Sequence, residues 1–533
     1  MNLFQRLKNA IGNEFVLDDE QSIQQYSRTT LSKGTTPQAV VKPENKKEIK
    51  KIVKIANECK VGVYPISKGK NWGYGSACAV QDGQIILDLS RMNRIIQVNE
   101  QLAYAVIEPG VTQIQLVEYL KENNIPLWLD CSGSGPDASI LGNTLERGFG
   151  HTPYGDHFMH SCGMEVILGD GRELKTGYGH YENSQAKHVF KYGIGPYLDG
   201  LFTQSNFGIV TEMGVWLMPE PECSNMFYCA VPKEEDLSAV VEALRPLKLN
   251  GQIKSLIHIG NDLRVISSFN QYPWEEAKNK TPLSDDLREY FCKRGGFGAW
   301  NVSGAIYGSK NQVRMNKKDL KKALKRLGKI QFIGNGSLGV LRRFSTILQR
   351  FSLLPEFNTK LKSLDKVYGL LQGNPTDAFL FGTLWRVKGP LQTNSIDPLD
   401  HNAGMMWISP IMPMTGGAAE NLIQLINPVF KQYGFEPLIT VSLITERAMV
   451  SVITISFDKN DVDETSKAQN CYDDLFKLVM SEGYIPYRTN IHTMEKLSEN
   501  SKIFWDITKE MKTVFDPNGI IAPGRYQPFD NKR

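Results

Sequence analysis

The chain has 533 residues, too many for one ordinary hydrophobic core, so we expect two or three domains. Hydrophobic residues make up 41% and charged residues 22%, as in a soluble globular protein, and a net charge of only +4 argues against a nucleic-acid-binding protein. Its eight cysteines form no CxxC pair, and the sequence has neither a signal-peptide core nor an apolar run of about 18 residues. We therefore expect a soluble, cytoplasmic protein.

About the first 220 residues are predicted to alternate short strands with short helices. The β-like runs are Ile85–Leu89, Tyr104–Glu108, Met164–Leu168 and Ile209–Leu217. Lys46–Lys60 has apolar residues at helical spacing, so its lysines are interpreted as a solvated helix face rather than an anion site. Gln113–Asn123 is predicted to be a helix with Thr112 as its N-cap.

A glycine-rich loop, Pro65–Ser76, is the first candidate site. It follows an apolar segment that predicts a buried strand, and it carries the glycines Gly69, Gly73 and Gly75 and two lysines. Such a loop can turn its N–H groups inward and hold a pyrophosphate. Its spacing matches neither the dinucleotide fingerprint nor the nucleoside-triphosphate loop, and an ordinary turn is the alternative.

The sequence changes character after residue 222. Residues 223–484 twice pair β-like stretches with amphipathic helices, which predicts an antiparallel sheet with helices on one face. The predicted segments are the helix Lys233–Arg245, stopped by Pro246, the helix Gly416–Tyr433, the β-like stretch Thr440–Phe457 and the helix Thr465–Ser481. The basic segment Lys310–Lys329 has no clear pattern.

From Tyr484 the chain returns to the Gly- and Pro-rich composition of the first part. A first domain interrupted by an inserted second one explains that return. We therefore predict an α+β protein with its first domain in residues 1–222 and 485–533 and an inserted domain in residues 223–484.

Five motifs occur in order: PISKGKNWGYGSA at 65–77, YAVIEPGVT at 104–112, LGNTLERGFGHTPYGDHFMHSCGMEVIL at 141–168, GPYLDGLFTQSNFGIVTEMGVWLMPEP at 195–221 and DPNGIIAPGR at 516–525. Together they closely resemble the flavoprotein oxidases and dehydrogenases of the vanillyl-alcohol oxidase and p-cresol methylhydroxylase type. The resemblance covers nearly the whole chain and is weakest over 223–395.

This resemblance implies an FAD-binding domain of the p-cresol methylhydroxylase type, formed by both chain ends, with an inserted cap over the substrate. It also implies oxidation of para-substituted phenols at the benzylic carbon, by hydride transfer to flavin N5 and through a p-quinone methide. The residues expected to bind FAD are Ser67, Lys68, Gly69, Lys70, Asn71, Trp72, Gly73, Gly75, the turn Gly142–Asn143, His151, Gly155, Ile209 and Arg525.

The family binds its substrate as a phenolate with two tyrosines and an arginine, which correspond to Tyr74, Tyr487 and Arg488. A cation and hydroxyl donors are what a phenolate needs. Asp156 corresponds to the family's acid/base carboxylate, and Arg525 to a cation at the flavin N1–C2=O edge. The alternatives are a packing tyrosine, a surface Tyr–Arg pair, a turn-capping aspartate and a surface arginine.

Relatives often tether the flavin through a His or Tyr of the cap. Here that position falls near Met405, four residues from His401, and we predict no covalent link from the cap. Cys131 precedes Gly142 by a spacing that resembles the 6-S-cysteinyl anchor of berberine-bridge-type oxidases, whereas Asn71 occupies the place of their histidyl anchor. A single Cys131–flavin bond therefore stays open, with a small buried cysteine as the alternative.

The partners are open at this point. The electron acceptor is oxygen or another protein, and the protein is expected to be a homodimer or a higher homo-oligomer. The segments 310–329 and 333–364 could serve a carrier-tethered phenol or an oligomer contact. No metal is expected, since His157 and His160 alone are a weak zinc pattern. The alternative functions are 2-hydroxy acid oxidation on the same fold and a non-catalytic flavin-binding subunit.

Overall fold

The chain begins with a four-stranded sheet of order β1-β2-β4-β3, in which β2, β4 and β3 are parallel and β1 is antiparallel. The computed structural model describes residues 2–339, 355–392 and 395–527. The first elements are α1 (Leu3–Ile11), β1 (Val16–Leu17), α2 (Glu20–Tyr26), β2 (Ala39–Val41), α3 (Lys46–Cys59), β3 (Val63–Ile66) and β4 (Ile85–Asp88).

A five-stranded antiparallel sheet follows, of order β5-β6-β10-β8-β9, and β7 pairs separately with β11. Its elements are β5 (Ile95–Asn99), β6 (Tyr104–Ile107), α4 (Gln113–Glu122), β7 (Leu127–Trp128), α5 (Ile140–Leu145), β8 (Ser161–Leu168), β9 (Glu173–Lys175), β10 (Gly208–Trp216) and β11 (Met218–Pro219). Gly142 and Asn143 lie within helix α5, not in the predicted turn. The reason is the N-cap Ser139, whose hydroxyl accepts the Gly142 N–H at 2.9 Å.

Residues 223–458 contribute an eight-stranded antiparallel sheet, here called the cap sheet, of order β15-β12-β14-β13-β18-β19-β16 with β17 also on β19. Its strands are β12 (Cys223–Val231), β13 (Ile257–Asn261), β14 (Trp300–Gly308), β15 (Lys329–Gly334), β16 (Ala403–Ile408), β17 (Ile411–Pro413), β18 (Leu438–Leu443) and β19 (Ala448–Asp458). The helices between them are α6 (Leu237–Leu249), α7 (Asp262–Ser267), α8 (Asp285–Gly295), α9 (Lys310–Leu324), α10 (Pro355–Leu370) and α11 (Gly416–Tyr433), and α12 (Val462–Ser481) follows β19.

Short 3₁₀ helices complete the described secondary structure, at Asn13–Phe15, Leu89–Arg91, Gly177–His180, Asp199–Phe202, Glu234–Asp236, Ala378–Leu384, Pro398–His401 and Glu495–Asn500. The returning C-terminal segment carries α13 (Lys502–Phe515) and then joins the first sheet. There the Val63 N–H donates to Ile520 O at 2.7 Å and the Ala522 N–H to Val63 O at 2.8 Å. The two ends of the chain therefore share one sheet.

The two faces of the cap sheet differ in chemistry. Ile259, Val302, Val441 and Ile453 lie on the face that packs against α6, α9, α11 and α12 in the largest hydrophobic core. Because side chains alternate along a strand, the neighbouring residues lie on the opposite face. That face carries mostly small or polar side chains, among them His258, Ser303, Thr440, Ser442, Thr454, Ser456 and Trp407. This face covers the glycine-rich loop, where the Trp407 N–H donates to Gly73 O.

The predicted α+β class with an inserted antiparallel sheet is confirmed. The domain boundaries at 222 and 484 stay predictions. Among the residues described, no helix is both long enough and apolar enough to cross a membrane.

Three local predictions need correction or completion. Helix α6 continues through Pro246 to Leu249, because Leu247 and Lys248 are buried and packing outweighs the lost backbone hydrogen bond. Thr440–Phe457 is not continuous, since a turn at 444–447 divides it into β18 and β19. The basic segment becomes helix α9 and the start of β15. Of the segment 333–364, residues 340–354 lie outside the described residues.

Candidate active site

The glycine-rich loop leaves β3 and turns beneath the cap sheet. Gly69, Gly73 and Gly75 have φ angles of +64°, +69° and +139°, which residues other than glycine rarely adopt. A Cβ on Gly73 would lie 2.8 Å from the Trp407 ring, and the Trp407 N–H donates to Gly73 O at 3.4 Å. Glycine at this position therefore lets the loop and the cap sheet approach closely.

The loop also offers unused main-chain donors. In the described parts of the chain, the N–H groups of Gly69, Lys70 and Asn71 have no protein acceptor. A Cβ on Gly142 would lie 3.1 Å from Ser67 Oγ, so helix α5 is next to the loop. The structure thus brings together the two segments that were predicted to hold the pyrophosphate.

The lysines of the loop are placed differently from its amides. The Lys70 ammonium donates to Asp397 at 2.6 Å and lies 5.1 Å from the centre of the Trp72 ring. Lys68 is half-buried, and the structure gives it no ion pair within the described residues. Because Asp397 pairs with Lys70, it offsets part of the positive charge that Lys70 could offer to a bound anion.

Tyr74 meets Tyr487 and Arg488 at one place, although more than 400 residues separate Tyr74 from these two neighbours in the sequence. The Tyr74 hydroxyl and Ser409 Oγ share a hydrogen bond of 2.7 Å, and the Tyr487 N–H donates to Ser409 O at 3.0 Å. The Arg488 guanidinium lies 3.7 Å from the centre of the Tyr74 ring and donates to Asn71 Oδ1. Its buried Nε has no hydrogen-bond partner in the described chain.

The charges of this group suit an anionic oxygen. Burial and the neighbouring Tyr487 raise the pKa of Tyr74 well above its usual value of 10, and burial raises the pKa of Tyr487. Burial alone would lower the pKa of Arg488, but Tyr487 and Glu146 raise it. The site therefore presents one permanent cation beside two neutral hydroxyl donors, the set that binds a phenolate.

Glu146, which sequence reasoning missed, links two predicted arginines. Its carboxylate accepts a hydrogen bond from Arg525 Nη2 and lies 4.0 Å from Arg488 Nε. Arg525 also donates to Tyr64 O–H at 3.0 Å and to Ser205 O at 3.1 Å. Burial would raise the pKa of Glu146, but the two guanidinium groups hold it below its usual value.

Asp156 lies in a turn whose main chain pairs with Phe149, a neighbour of Tyr487. Its carboxylate accepts the Met159 N–H at 3.0 Å, and its main chain pairs with Phe149, whose ring centre lies 6.0 Å from that of Tyr487. No described contact joins the carboxylate to Tyr74 or Arg488. The turn-capping contact exists, and the catalytic role of Asp156 stays a prediction.

A second buried carboxylate, Asp130, organises this turn. It accepts His157 Nε2–H at 2.8 Å and the Thr152 N–H at 2.6 Å, and His157 Nδ1 lies 2.6 Å from Asn143 Oδ1. Burial would raise the pKa of Asp130, but His157 lowers it. Asn143 and His157 lie in the motif at 141–168 that the sequence analysis recognised. Asp130 lies outside every motif, and only its position next to Cys131 pointed to it in the sequence.

His151 and Gly155 connect the same turn to the cap sheet. The His151 ring centre lies 4.7 Å from that of His258 on β13, and burial lowers the pKa of His151 to about 4. The Gly155 N–H donates to Thr152 O at 3.0 Å, and a Cβ on Gly155 would lie 2.4 Å from Leu256 Cδ1, so a side chain there would clash. His151 thus packs against His258 and Phe379, and its contact with the cofactor stays a prediction.

The candidate tethers of the flavin are all buried. Cys131 Sγ donates to the carbonyls of Gly373 at 3.5 Å and Leu129 at 3.6 Å, and burial raises its pKa well above the usual value. Met405 lies on β16 and packs with Trp72 and Leu380, and His401 Nε2 lies 2.9 Å from Ser395 O. A thiol with a raised pKa is a poor nucleophile.

Ile209 lies within β10, buried, in register with Ile167 of β8. Sequence reasoning predicted it to contact the cofactor, and the structure places it in the largest hydrophobic core, so that contact stays a prediction. Within the described ranges no group of three or more His, Cys, Asp and Glu side chains is arranged to hold a metal ion.

Comparison with known proteins places these features in a family. Residues 37–177 match the family model described as an FAD binding domain. The chain is 36% identical, over 98% of both chains, to 1'-carboxy-chondrochloren decarboxylase of Chondromyces crocatus. It is 33% identical to the 4-cresol dehydrogenase [hydroxylating] flavoprotein subunit of Pseudomonas putida, over 98% of this chain and 94% of that protein.

A solved structure agrees with the sequence comparison. The crystal structure of p-cresol methylhydroxylase with substrate bound superposes with a TM-score of 0.88 at 32% identity, covering 100% of this chain and 97% of that one. The predicted resemblance and the predicted fold are thereby confirmed. The chain belongs to the vanillyl-alcohol oxidase and p-cresol methylhydroxylase family of FAD-linked oxidoreductases.

Proposed function

We propose that this protein oxidises a para-substituted phenol at its benzylic carbon with FAD as the cofactor. The observation that carries the proposal is the group formed by Tyr74, Tyr487 and Arg488, one buried cation with two neutral hydroxyl donors. A phenolate oxygen matches this set because it accepts several charge-assisted hydrogen bonds. A 2-hydroxy acid would use the arginine but would not require both tyrosines.

The described residues fit FAD. The unpaired N–H groups of Gly69, Lys70 and Asn71 suit a pyrophosphate, and Ser67 and α5 border the same space. The Arg525 guanidinium, fixed by Glu146 and Tyr64, supplies the cation expected at the flavin N1–C2=O edge. When bound, FAD accepts the hydride that the substrate's benzylic carbon gives up.

The chain's own groups prepare the substrate for that loss. Arg488 favours the phenolate over the phenol, and electron release from the phenolate oxygen weakens the benzylic C–H bond. Tyr74 and Tyr487 stay protonated because of their raised pKa values, so they donate hydrogen bonds and orient the ring. Loss of hydride leaves a p-quinone methide, and Asp156 then activates water or moves a proton.

The relatives suggest the range of products. One is named a hydroxylating cresol dehydrogenase and another a decarboxylase of a carboxylated compound. Water addition, further oxidation, desaturation and oxidative decarboxylation all begin from a quinone methide.

We place the protein in the cytoplasm, in keeping with its eight free cysteines. We propose that FAD is bound without a covalent link. Cys131 is buried with a raised pKa, which makes its thiol a poor nucleophile, and Met405 is packed against Trp72.

Anaerobic titration of the holoenzyme with 4-ethylphenol, 4-ethylanisole and lactate tests the proposal. We expect 4-ethylphenol to bleach the flavin absorbance, whereas 4-ethylanisole, which cannot ionise, leaves it unchanged. Bleaching by lactate alone, or equal bleaching by both aromatic compounds, would contradict the proposal. Admitting air then tests the acceptor: rapid return of the colour identifies oxygen, and slow return excludes oxygen as the efficient acceptor.

A further inference from the structure

Glu146 lies between Arg525, which we propose contacts the flavin, and Arg488, which we propose binds the phenolate. It follows α5, and its main-chain carbonyl accepts Gln204 Nε2–H at 3.2 Å. Its side chain is only 14% exposed, and Arg525 and Arg488 are 13% and 8% exposed. Its carboxylate hydrogen-bonds to Arg525 and approaches Arg488 Nε to 4.0 Å without a hydrogen bond.

The donors of Arg525 are largely used within the protein. One guanidinium nitrogen donates to Tyr64, another to Ser205 O and a third to Glu146. Arg488 donates to Asn71 Oδ1, and its Nε is buried without a partner among the described residues. Glu146 therefore neutralises Arg525 directly and offsets part of the positive potential at Arg488.

The remaining titratable groups around the carboxylate are tyrosines from three segments. Tyr64 lies on β3, Tyr74 in the glycine-rich loop, and Tyr487 and Tyr526 on the returning C-terminal segment. Burial raises the pKa of each, so they stay neutral at ordinary pH. Among the described residues, the charged members of the cluster are Arg488, Arg525 and Glu146, which together carry a net charge of +1.

We propose that Glu146 is a positioning residue that sets how strongly Arg488 stabilises the bound phenolate. This inference rests on the proposed function, since it assigns a tuning role at the same site. A buried negative charge close to a guanidinium reduces the attraction that the guanidinium exerts on a second anion. Glu146 thereby keeps the phenolate's affinity below the maximum and keeps the Arg525 guanidinium oriented.

The test uses 4-nitrophenol, which has no carbon at the para position to oxidise and whose phenolate is coloured. Its absorbance on the holoenzyme, followed against pH, gives the apparent pKa of the bound phenol. In Glu146→Gln, which keeps the shape and loses the charge, we expect that pKa to fall by about one unit, a tenfold rise in the ratio of bound phenolate to bound phenol at a given pH. Glu212→Gln, in the Glu212–Lys187 ion pair, is the matched control and leaves it unchanged.

An unchanged or raised pKa of bound 4-nitrophenol in Glu146→Gln would overturn the inference, because a merely structural role changes the melting temperature and not the phenol's ionisation. If that variant fails to fold, Glu146→Asp withdraws the charge from Arg488 and must lower the same pKa by a smaller amount; no fall there also overturns it. If the wild type binds no 4-nitrophenolate at all, the proposed function itself fails, which is a distinguishable result.

Discussion

Arg488 lies over the face of Tyr74, with its guanidinium carbon 3.7 Å from the ring centre. The two residues come from opposite ends of the chain, Tyr74 from the glycine-rich loop and Arg488 from the segment that follows the cap sheet. The loop that we propose binds the cofactor therefore also carries Tyr74, which we propose binds the substrate. Stacking on an aromatic face fixes the planar guanidinium in a way that lysine cannot reproduce.

Two substitutions separate the roles of Asp156. Asp156→Asn keeps an oxygen that can accept the Met159 N–H, whereas Asp156→Ala removes both that acceptor and the charge. If the carboxylate acts in proton transfer, both variants lower kcat by about 100-fold. Only the alanine variant should also lose about 1 kcal/mol of stability, measured by urea unfolding. Wild-type kcat and product distribution in Asp156→Asn would reduce Asp156 to a turn cap.

We expect His151 to make the folded protein less stable in acid. Burial lowers its pKa to about 4 in the folded state, against about 6.5 when unfolded, so it binds its proton more readily after unfolding. The free energy of unfolding is therefore unaffected by this group above about pH 6.5 and decreases as the pH falls toward 4. The expected decrease at pH 5 is about 2 kcal/mol. Urea unfolding at pH 7 and pH 5 measures it.

His151→Phe keeps an aromatic ring against Phe379 and removes the titrating group. We expect the difference between the two pH values to shrink by about 2 kcal/mol in this variant. His180→Phe, at an exposed position, is the control and keeps the wild-type difference. The same pH dependence in both variants would show that other groups control acid sensitivity.

Two glycines with similar backbone angles distinguish strain from collision. Gly73 and Gly83 have φ angles of +69° and +76°, but a Cβ meets Trp407 at 2.8 Å from Gly73 and nothing within 4 Å from Gly83. Gly83→Ala should cost about 1 kcal/mol from backbone strain alone. Gly73→Ala should cost at least twice that and lower the FAD content, measured by absorbance after purification. Equal costs would show that the loop and the cap sheet can separate without penalty.

The proposal that FAD is bound without a covalent tether has a direct test. Acid precipitation of the holoenzyme should leave a colourless pellet and a yellow supernatant, because Cys131 faces two carbonyls and Met405 is packed with Trp72. Cys131→Ser should bind as much FAD as the wild type. A yellow pellet that becomes colourless in Cys131→Ser would instead identify that cysteine as the anchor.

The sequence predicted the parts of the site that motifs carry and missed the parts that pair across the fold. Tyr74, Tyr487 and Arg488 each lie in a recognisable string, and the structure brings them together. Glu146 and Arg525 are 379 residues apart, and no local pattern signals a buried ion pair of that separation. The same holds for Asp130, whose partners lie 21 to 27 residues away.

Local signals explain which elements were predicted correctly. Helix α11 begins after Thr415, whose hydroxyl accepts the Ala418 N–H, and ends at Gly434 in the left-handed region, so both ends were visible in the sequence. The turn between β18 and β19 contains no Gly, Pro or Asn. It is formed instead by Thr445, whose hydroxyl accepts the N–H groups of Arg447 and Ala448.

The central claim is that Arg488 holds the substrate as a phenolate for oxidation. The most direct measurement is the rate of anaerobic flavin bleaching by 4-ethylphenol in the wild type, in Arg488→Lys and in the control Arg447→Lys, which changes an exposed arginine. We expect Arg488→Lys to slow bleaching by about 100- to 1,000-fold, since lysine lacks the planar, stacked donor set, and Arg447→Lys to match the wild type. A rate in Arg488→Lys within about twofold of the wild type would contradict the claim.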